Sequence, residues 1–284
     1  MRAVGSNKNT PSRIISYLFL LLVVALFSLP FVWVLRSSLM NMSDIFQLPP
    51  RWIPAPLAWQ NYREAVTVIP FGQYFLNSLL VVIATLAGSV LTCSLAAFSF
   101  SRLRWHGRDA IFLILLTSLM MPYAVTLIPT FVLWKYLGGI NTFFPLIVPS
   151  WFGTGVGGAF NIFLLRQFFL TIPFELDEAA YMDGAAPLSV YWHLVRPLST
   201  PVLVAVVVTT FGWAWNDLLS PLVFLIDSSK FTVAIGLAEF NSAYSIQWDL
   251  LMAASIIVIA PVFALFFALQ RFFIQGIVLT GLKG

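Results

Sequence analysis

From Ile14 to Leu35 the chain carries no charged side chain. A helix needs about 20 predominantly apolar residues to cross the hydrocarbon core of a bilayer. In lipid each backbone polar group must be satisfied within the segment, so such a tract reads as a helix. Comparable tracts recur at Tyr74–Phe100, Ala110–Trp134, within Phe143–Leu165, from near Pro201, and at Leu250–Phe272. The pattern predicts an all-α integral membrane protein with six transmembrane helices. The composition, 60% hydrophobic and 9% charged over 284 residues, lies outside soluble norms. The ten tryptophans suit rings that anchor at two interfaces.

Arg2, Lys8 and Arg13 precede the first tract. That arrangement imitates a signal peptide, but the apolar core is too long and no small-residue cleavage site follows, so the tract is expected to stay attached. The segment Ser37–Gly72, rich in proline and holding Trp52 and Trp59, reads as an ordered loop at the interface. In the second span Gly88, Ser89, Thr92, Ser94 and Ala96 offer a small-residue packing face. Pro122 and Pro129 predict kinks in the third. Gly153 and Gly157 form a GxxxG pair in the fourth, which fits either a close helix contact or a locally broken helix lining a path. A helix from Ser199 carries Trp213, Trp215, Asn216 and Asp217 to the far interface, where Asn216 and Asp217 are interfacial anchors or part of a polar passage. A second polar loop, Ile226–Trp248, follows on that far side.

Six spans put both termini on one side. Arg36, Arg51, Arg63, Lys135 and Lys230 then fall opposite, leaving ten of the 15 Lys and Arg residues on the terminus side. The positive-inside rule makes that side cytoplasmic. The expected organisation is a cytoplasmic N-terminus over residues 1–13, a six-span membrane domain over 14–275 and a cytoplasmic tail over 276–284. Cys93, the single cysteine, lies in an apolar run and reads as a packing residue; His106 and His193 read as solvated. No metal-ligand grouping, cofactor motif or nucleic-acid-binding basic cluster stands out, and no phosphate-cradling GxxxxGK[ST] occurs. The chain is therefore not expected to hydrolyse ATP.

Between spans four and five lies Thr171–Pro201, with the acids Glu175, Asp177, Glu178 and Asp183. Pro173 suits a first helical turn, the acids complement the positive end of a helix over Phe174–Met182, and Gly184 supplies the helix stop. Pro187 can open a second short helix, and Pro197 limits it. The stretch 171–200 is thus expected to be two short helices about a hinge, with Ala179 and Ala180 small enough to admit a partner's surface.

Glu178-Ala179-Ala180, three residues, Gly184, nine residues, Leu194, one residue and then Arg196-Pro197 resemble the EAA signature of binding-protein-dependent ABC importer permeases. Leu194 stands for the signature's isoleucine and Arg196 for an apolar residue. Asn77-Ser78, Trp215-Asn216-Asp217 and the ending Gly-Leu-Lys-Gly resemble the carbohydrate-uptake subfamily, in particular the G-type permeases of maltose-like importers. The resemblance implies a type I ABC importer fold, a second permease subunit, a cytoplasmic ATP-binding subunit dimer, an extracytoplasmic solute-binding protein and a sugar substrate. It implies that Glu178, Ala179, Ala180, Asp183, Gly184 and Pro197 couple to the ATPase. It also implies that the loop Ile226–Trp248 reaches into the binding protein and that the tail touches the ATPase dimer. A gradient-driven transporter or channel is the competing class; it calls for acids or histidines in mid-span, and spans one to four and six hold none.

Overall fold

The computed structural model describes residues 10–155, 157–241 and 246–281, and side chains from Ile14 to Phe272 within them. The expected N-terminal segment up to Asn9, the loop positions 242–245 and the last three residues lie outside the described residues. Every named element is helical. Among the described residues three helices are long and apolar enough to cross a membrane: Ile14–Ser38, Phe71–Arg102 and Trp248–Phe272. Two bent helix pairs raise the number of candidate crossings to five. The chain divides into two compact units, one of residues up to Val68 together with Phe240–Ile257, the other of Ile69–Glu239 together with the residues from Val258 onward.

In the first unit α1 (Thr10–Ser38) is apolar all round, and it is buried only at its end, from Arg36 to Ser38. Its length and all-round apolarity suit a membrane span. It is followed by α2 (Met42–Ile45) and α3 (Gln60–Thr67). The buried Asn61 amide donates to the Ser38 carbonyl at 3.0 Å, at the end of α1, and to the Met40 carbonyl at 2.7 Å, two residues past it. Trp33 and Trp52 meet edge-to-face at 6.2 Å, and Arg36 lies 4.5 Å over Trp33 while its Nε donates to the Arg51 carbonyl. The proline-rich segment is therefore ordered against the end of α1, and it holds a helix that its composition did not announce.

The second unit is built on α4 (Phe71–Arg102). Then come α5 (Arg108–Ser118), α6 (Tyr123–Tyr136), α7 (Phe144–Trp151) and α8 (Gly158–Phe169). After them lie α9 (Glu175–Met182), α10 (Pro187–Val190), a π-helical turn Tyr191–Val195, α11 (Arg196–Leu198) and α12 (Thr200–Trp215). The order closes with α13 (Leu219–Phe224), a 3-10 turn Ser228–Lys230, α14 (Val233–Glu239) and α15 (Trp248–Gly281), which enters this unit at Val258. α15 runs past residue 275, so the last span and the start of the expected tail are one helix.

The small-residue face of α4 packs as expected. Trp151 of α7 lies where a side chain at Gly88 would stand, with its ring 2.6 Å from the position of a Cβ. The Thr92 hydroxyl donates to the Ser150 carbonyl at 2.9 Å, and Asn161 of α8, fully buried, donates to Ser89 of α4 at 3.1 Å and Thr210 of α12 at 2.9 Å. One amide thus joins three helices. Pro122 separates α5 from α6 by 101°; it has no N–H and disfavours helix in the residue before it. Pro129 stays inside α6.

Gly153 and Gly157 do not form a helix-packing pair. Both have positive φ, +67° and +71°, and they lie in the break between α7 and α8. Gly157 carries the ring of Trp213, whose nearest atom would be 1.8 Å from a Cβ there. Gly157→Ala is expected to cost about 1–3 kcal/mol by overpacking, plus roughly 1–2 kcal/mol for the left-handed backbone. Thermal melting of the purified protein checks this: adding Trp213→Ala should recover the packing part and leave the backbone part.

Candidate functional site: the exposed segment between α8 and α12

Two short helices about a turn occupy the stretch where they were expected. Helix α9 begins after Pro173, two residues later than a proline in its first turn would place it. It ends in a Schellman motif: the Ala185 N–H donates to the Ala180 carbonyl at 2.9 Å and the Gly184 N–H to the Tyr181 carbonyl at 3.0 Å. Gly184 has φ +84°, and nothing stands within 4 Å of a Cβ built on it. The glycine is therefore required by the backbone, not by space. Pro187 opens α10 as predicted.

Pro197 does not end the second helix. The Arg196 N–H reaches back five residues to the Tyr191 carbonyl, forming the π-helical turn, and the helix continues through Pro197 to Leu198. The wider turn accommodates the proline's missing donor, and the sharp 80° bend falls one residue later, at Ser199.

The acids of α9 do not share one role. Glu175, Glu178 and Asp183 are exposed, whereas Asp177 is fully buried. Its carboxylate lies 3.1 Å from the Arg102 guanidinium at the end of α4, and Arg102 is equally withdrawn from solvent. Arg102 also donates to the carbonyls of Phe169 and, at 2.7 Å, of Ile172, and it stacks 5.6 Å over Phe174. Burial pushes the Asp177 carboxyl up from its ordinary range, and the Arg102 charge beside it pulls back against that. One guanidinium thus joins the end of α4, the end of α8 and the first turn of α9. Arg166 reinforces the same end, donating to the Phe100 carbonyl at 3.1 Å and lying 4.1 Å over Phe112.

On this anchored base α9 presents a free face. Glu178 and Ala179 are exposed, Met182 is 88% exposed, and Leu176 and Leu188 also project. Ala180 is half-buried and packs on the core around Val190 and Tyr191, so the two alanines part ways. Asp183, Gly184 and Pro197 are exposed as well.

At the other end of α12, the Asn216 amide donates to the Gly212 carbonyl at 2.7 Å, and Asp217 accepts the Ser220 N–H at 3.0 Å as a cap for α13. Asp217 borders a cavity of about 20 Å³ with Ser78, Thr85 and Thr232, room for one water. Asn77 and Ser78 hold the loop that follows α13: Asn77 donates to the carbonyls of Ser229 and Phe231 at 2.9 and 3.0 Å, and Ser78 accepts the Val233 N–H at 2.8 Å.

An all-helical membrane bundle with this exposed segment defines a class. Residues 88–278 match the family described as the binding-protein-dependent transport system inner membrane component, and the chain belongs to it. Among its relatives are the probable ABC transporter permease YurM of Bacillus subtilis, 32% identical over 94% of this chain and 88% of that protein. The sn-glycerol-3-phosphate transport system permease UgpE of Yersinia pestis is 31% identical over 93% of this chain and 95% of that one. The inner membrane ABC transporter permease YcjP of Escherichia coli is 33% identical over 99% and 100%. The fold is that of a solved bacterial ABC transporter involved in the import of alginate, with a TM-score of 0.76 at 20% identity, covering 93% of this chain and 98% of that one. Like these relatives, the chain is a non-catalytic permease subunit.

Proposed function

We propose that this chain is the permease subunit of an ATP-driven importer for a sugar or other polyhydroxylated solute, with ATP hydrolysed by a partner. What carries the reading is the exposed face of α9 set on the buried Arg102–Asp177 pair. A force applied to α9 passes directly into α4, the helix on which the second unit is built. Glu178, Ala179, Asp183 and Gly184 would meet a groove of a cytoplasmic ATP-binding subunit, Ala180 and Pro197 shaping the segment behind them. The path would run past the Gly153–Gly157 break and Asn216 and Asp217.

In this reading the chain spans six times: α1, α4, α5 with α6, α7 with α8, α12, and α15. The membrane domain covers 14–275, the coupling segment is 171–200, and both termini are cytoplasmic. The partners are an ATP-binding subunit dimer, a second permease and an extracytoplasmic binding protein. A polyhydroxylated solute is supported by relatives named for sn-glycerol-3-phosphate transport and alginate import. The gradient-driven alternative calls for titratable groups inside spans; the buried charged residues among those described are Arg36, Arg102 and Asp177, all at or beyond helix ends.

Cys93 is fully buried, so Met182→Cys introduces the one accessible thiol. A thiol-directed crosslinker there is expected to capture an ATP-binding subunit in native membranes. The control, Tyr136→Cys, is equally exposed at 87% but lies at the end of α6. Equal capture at both sites, or none at residue 182, would sink the coupling assignment.

A further inference from the structure

Arg196 puts a charge where the spaced signature has an apolar residue, and coupling gives it no task. It is exposed, it makes no ion pair among the described residues, and its guanidinium lies 5.0 Å over the ring of Trp192. Both border a cleft of about 270 Å³ between α4, the π-helical turn and α12. The walls are apolar: Leu86, Ala87, Val90 and Leu91 form one face of α4, and Leu203 stands opposite on α12. Ser94 and Tyr191 contribute hydroxyls, but these bond to each other at 2.6 Å. The charged group left to interact with a ligand is the guanidinium at the rim.

We propose that this cleft holds an acyl chain of an anionic phospholipid, with Arg196 binding the phosphate of its headgroup. A sugar needs several donors and acceptors along its length, and this cleft offers one cation beside apolar walls. The volume is small for a whole ligand, and a membrane lipid needs only to lay one chain in it. An arginine flanked by a tryptophan is the pairing expected at the interface, where basic clefts between spans take anionic headgroups. The proposal rests on the membrane-spanning reading, because a lipid reaches the cleft only if α4 and α12 lie in a bilayer.

The test uses the complex purified with its co-expressed partner subunits, in nanodiscs of phosphatidylcholine. These are doped with a tracer of photoactivatable phosphatidylglycerol or photoactivatable phosphatidylcholine. Phosphatidylglycerol should label peptides from α4 and residues 191–203 more strongly than phosphatidylcholine. Arg196→Leu should lower that labelling roughly fivefold, the weight of one arginine near an anionic surface, and Arg196→Lys should retain most of it. Ala87→Trp, which fills the cleft, should block both probes. Equal labelling of the wild type by the two probes would overturn the proposal. So would displacement by millimolar inorganic phosphate, or a crosslink that captures a partner subunit instead of lipid. Labelling does not depend on transport, so the outcome stands apart from whether an ATPase docks on α9.

Discussion

Arg102→Ala is expected to lower the stability of the protein by about 3–5 kcal/mol, the usual result of leaving one member of a buried ion pair behind. The loss is large because Asp177 is fully buried and has one oxygen already without a hydrogen-bond partner. Removing Arg102 would leave that carboxylate without its countercharge and the Ile172 carbonyl without its donor, and the Phe169 carbonyl would keep only the Ile172 N–H, at 3.2 Å. Asp177→Asn should cost less, since the guanidinium keeps both carbonyls. The two substitutions are expected to be strongly non-additive, because after the first the second has little left to break. Thermal melting of the detergent-extracted protein and solute uptake in cells are the measurements. A double replacement by methionine and leucine should recover much of the stability, as apolar isosteres of buried pairs do. It should not recover uptake if the pair transmits force. Wild-type melting and uptake in Arg102→Ala would remove the anchored-segment account.

That pair also marks the limit of what the sequence discloses. The spans are legible because a bilayer demands length and apolarity, and both are local properties. The stop at Gly184 and the start at Pro187 are legible for the same reason: each follows from one residue's backbone. Asp177 is a different case. Within an acidic run it reads as a dipole partner, and Arg102 reads as one more cytoplasmic charge. Nothing in either neighbourhood says that residues 75 apart meet out of water. Asn161 is hidden likewise, a lone amide in an apolar tract whose partners sit on two other helices.

Gly153 and Gly157 show a second kind of ambiguity. Small residues four apart suit a close helix contact and a helix break equally, and only the positive φ at both settles it. Pro197 misleads because a proline's usual effect presumes α-helical spacing. In a π-helical turn the missing N–H falls where the bonding is already displaced. The structure also gives Asn77 and Ser78 a physical task, holding the loop after α13, which their membership of a short motif does not explain.

Gly184→Pro is expected to abolish uptake while the protein still inserts. Proline fixes φ near −65°, and the residue sits at +84°, so the turn cannot form with that substitution. The change also deletes the N–H that donates to the Tyr181 carbonyl. The α9–α10 angle must then open, carrying Glu178, Ala179 and Met182 away from their present face. Insertion should survive, since the turn lies outside the apolar tracts that the bilayer reads. Gly184→Ala separates backbone from bulk. Nothing stands within 4 Å of its added methyl, so its cost is confined to the left-handed conformation, roughly 1–2 kcal/mol, and uptake should fall only in part. Gly184→Asn, whose side chain tolerates that conformation better, should retain more activity than alanine. Surface-accessible protein level and initial uptake rate, measured on the same cells, give the order glycine, asparagine, alanine, proline. If proline transports as well as glycine at equal membrane level, the hinge angle has no part in coupling.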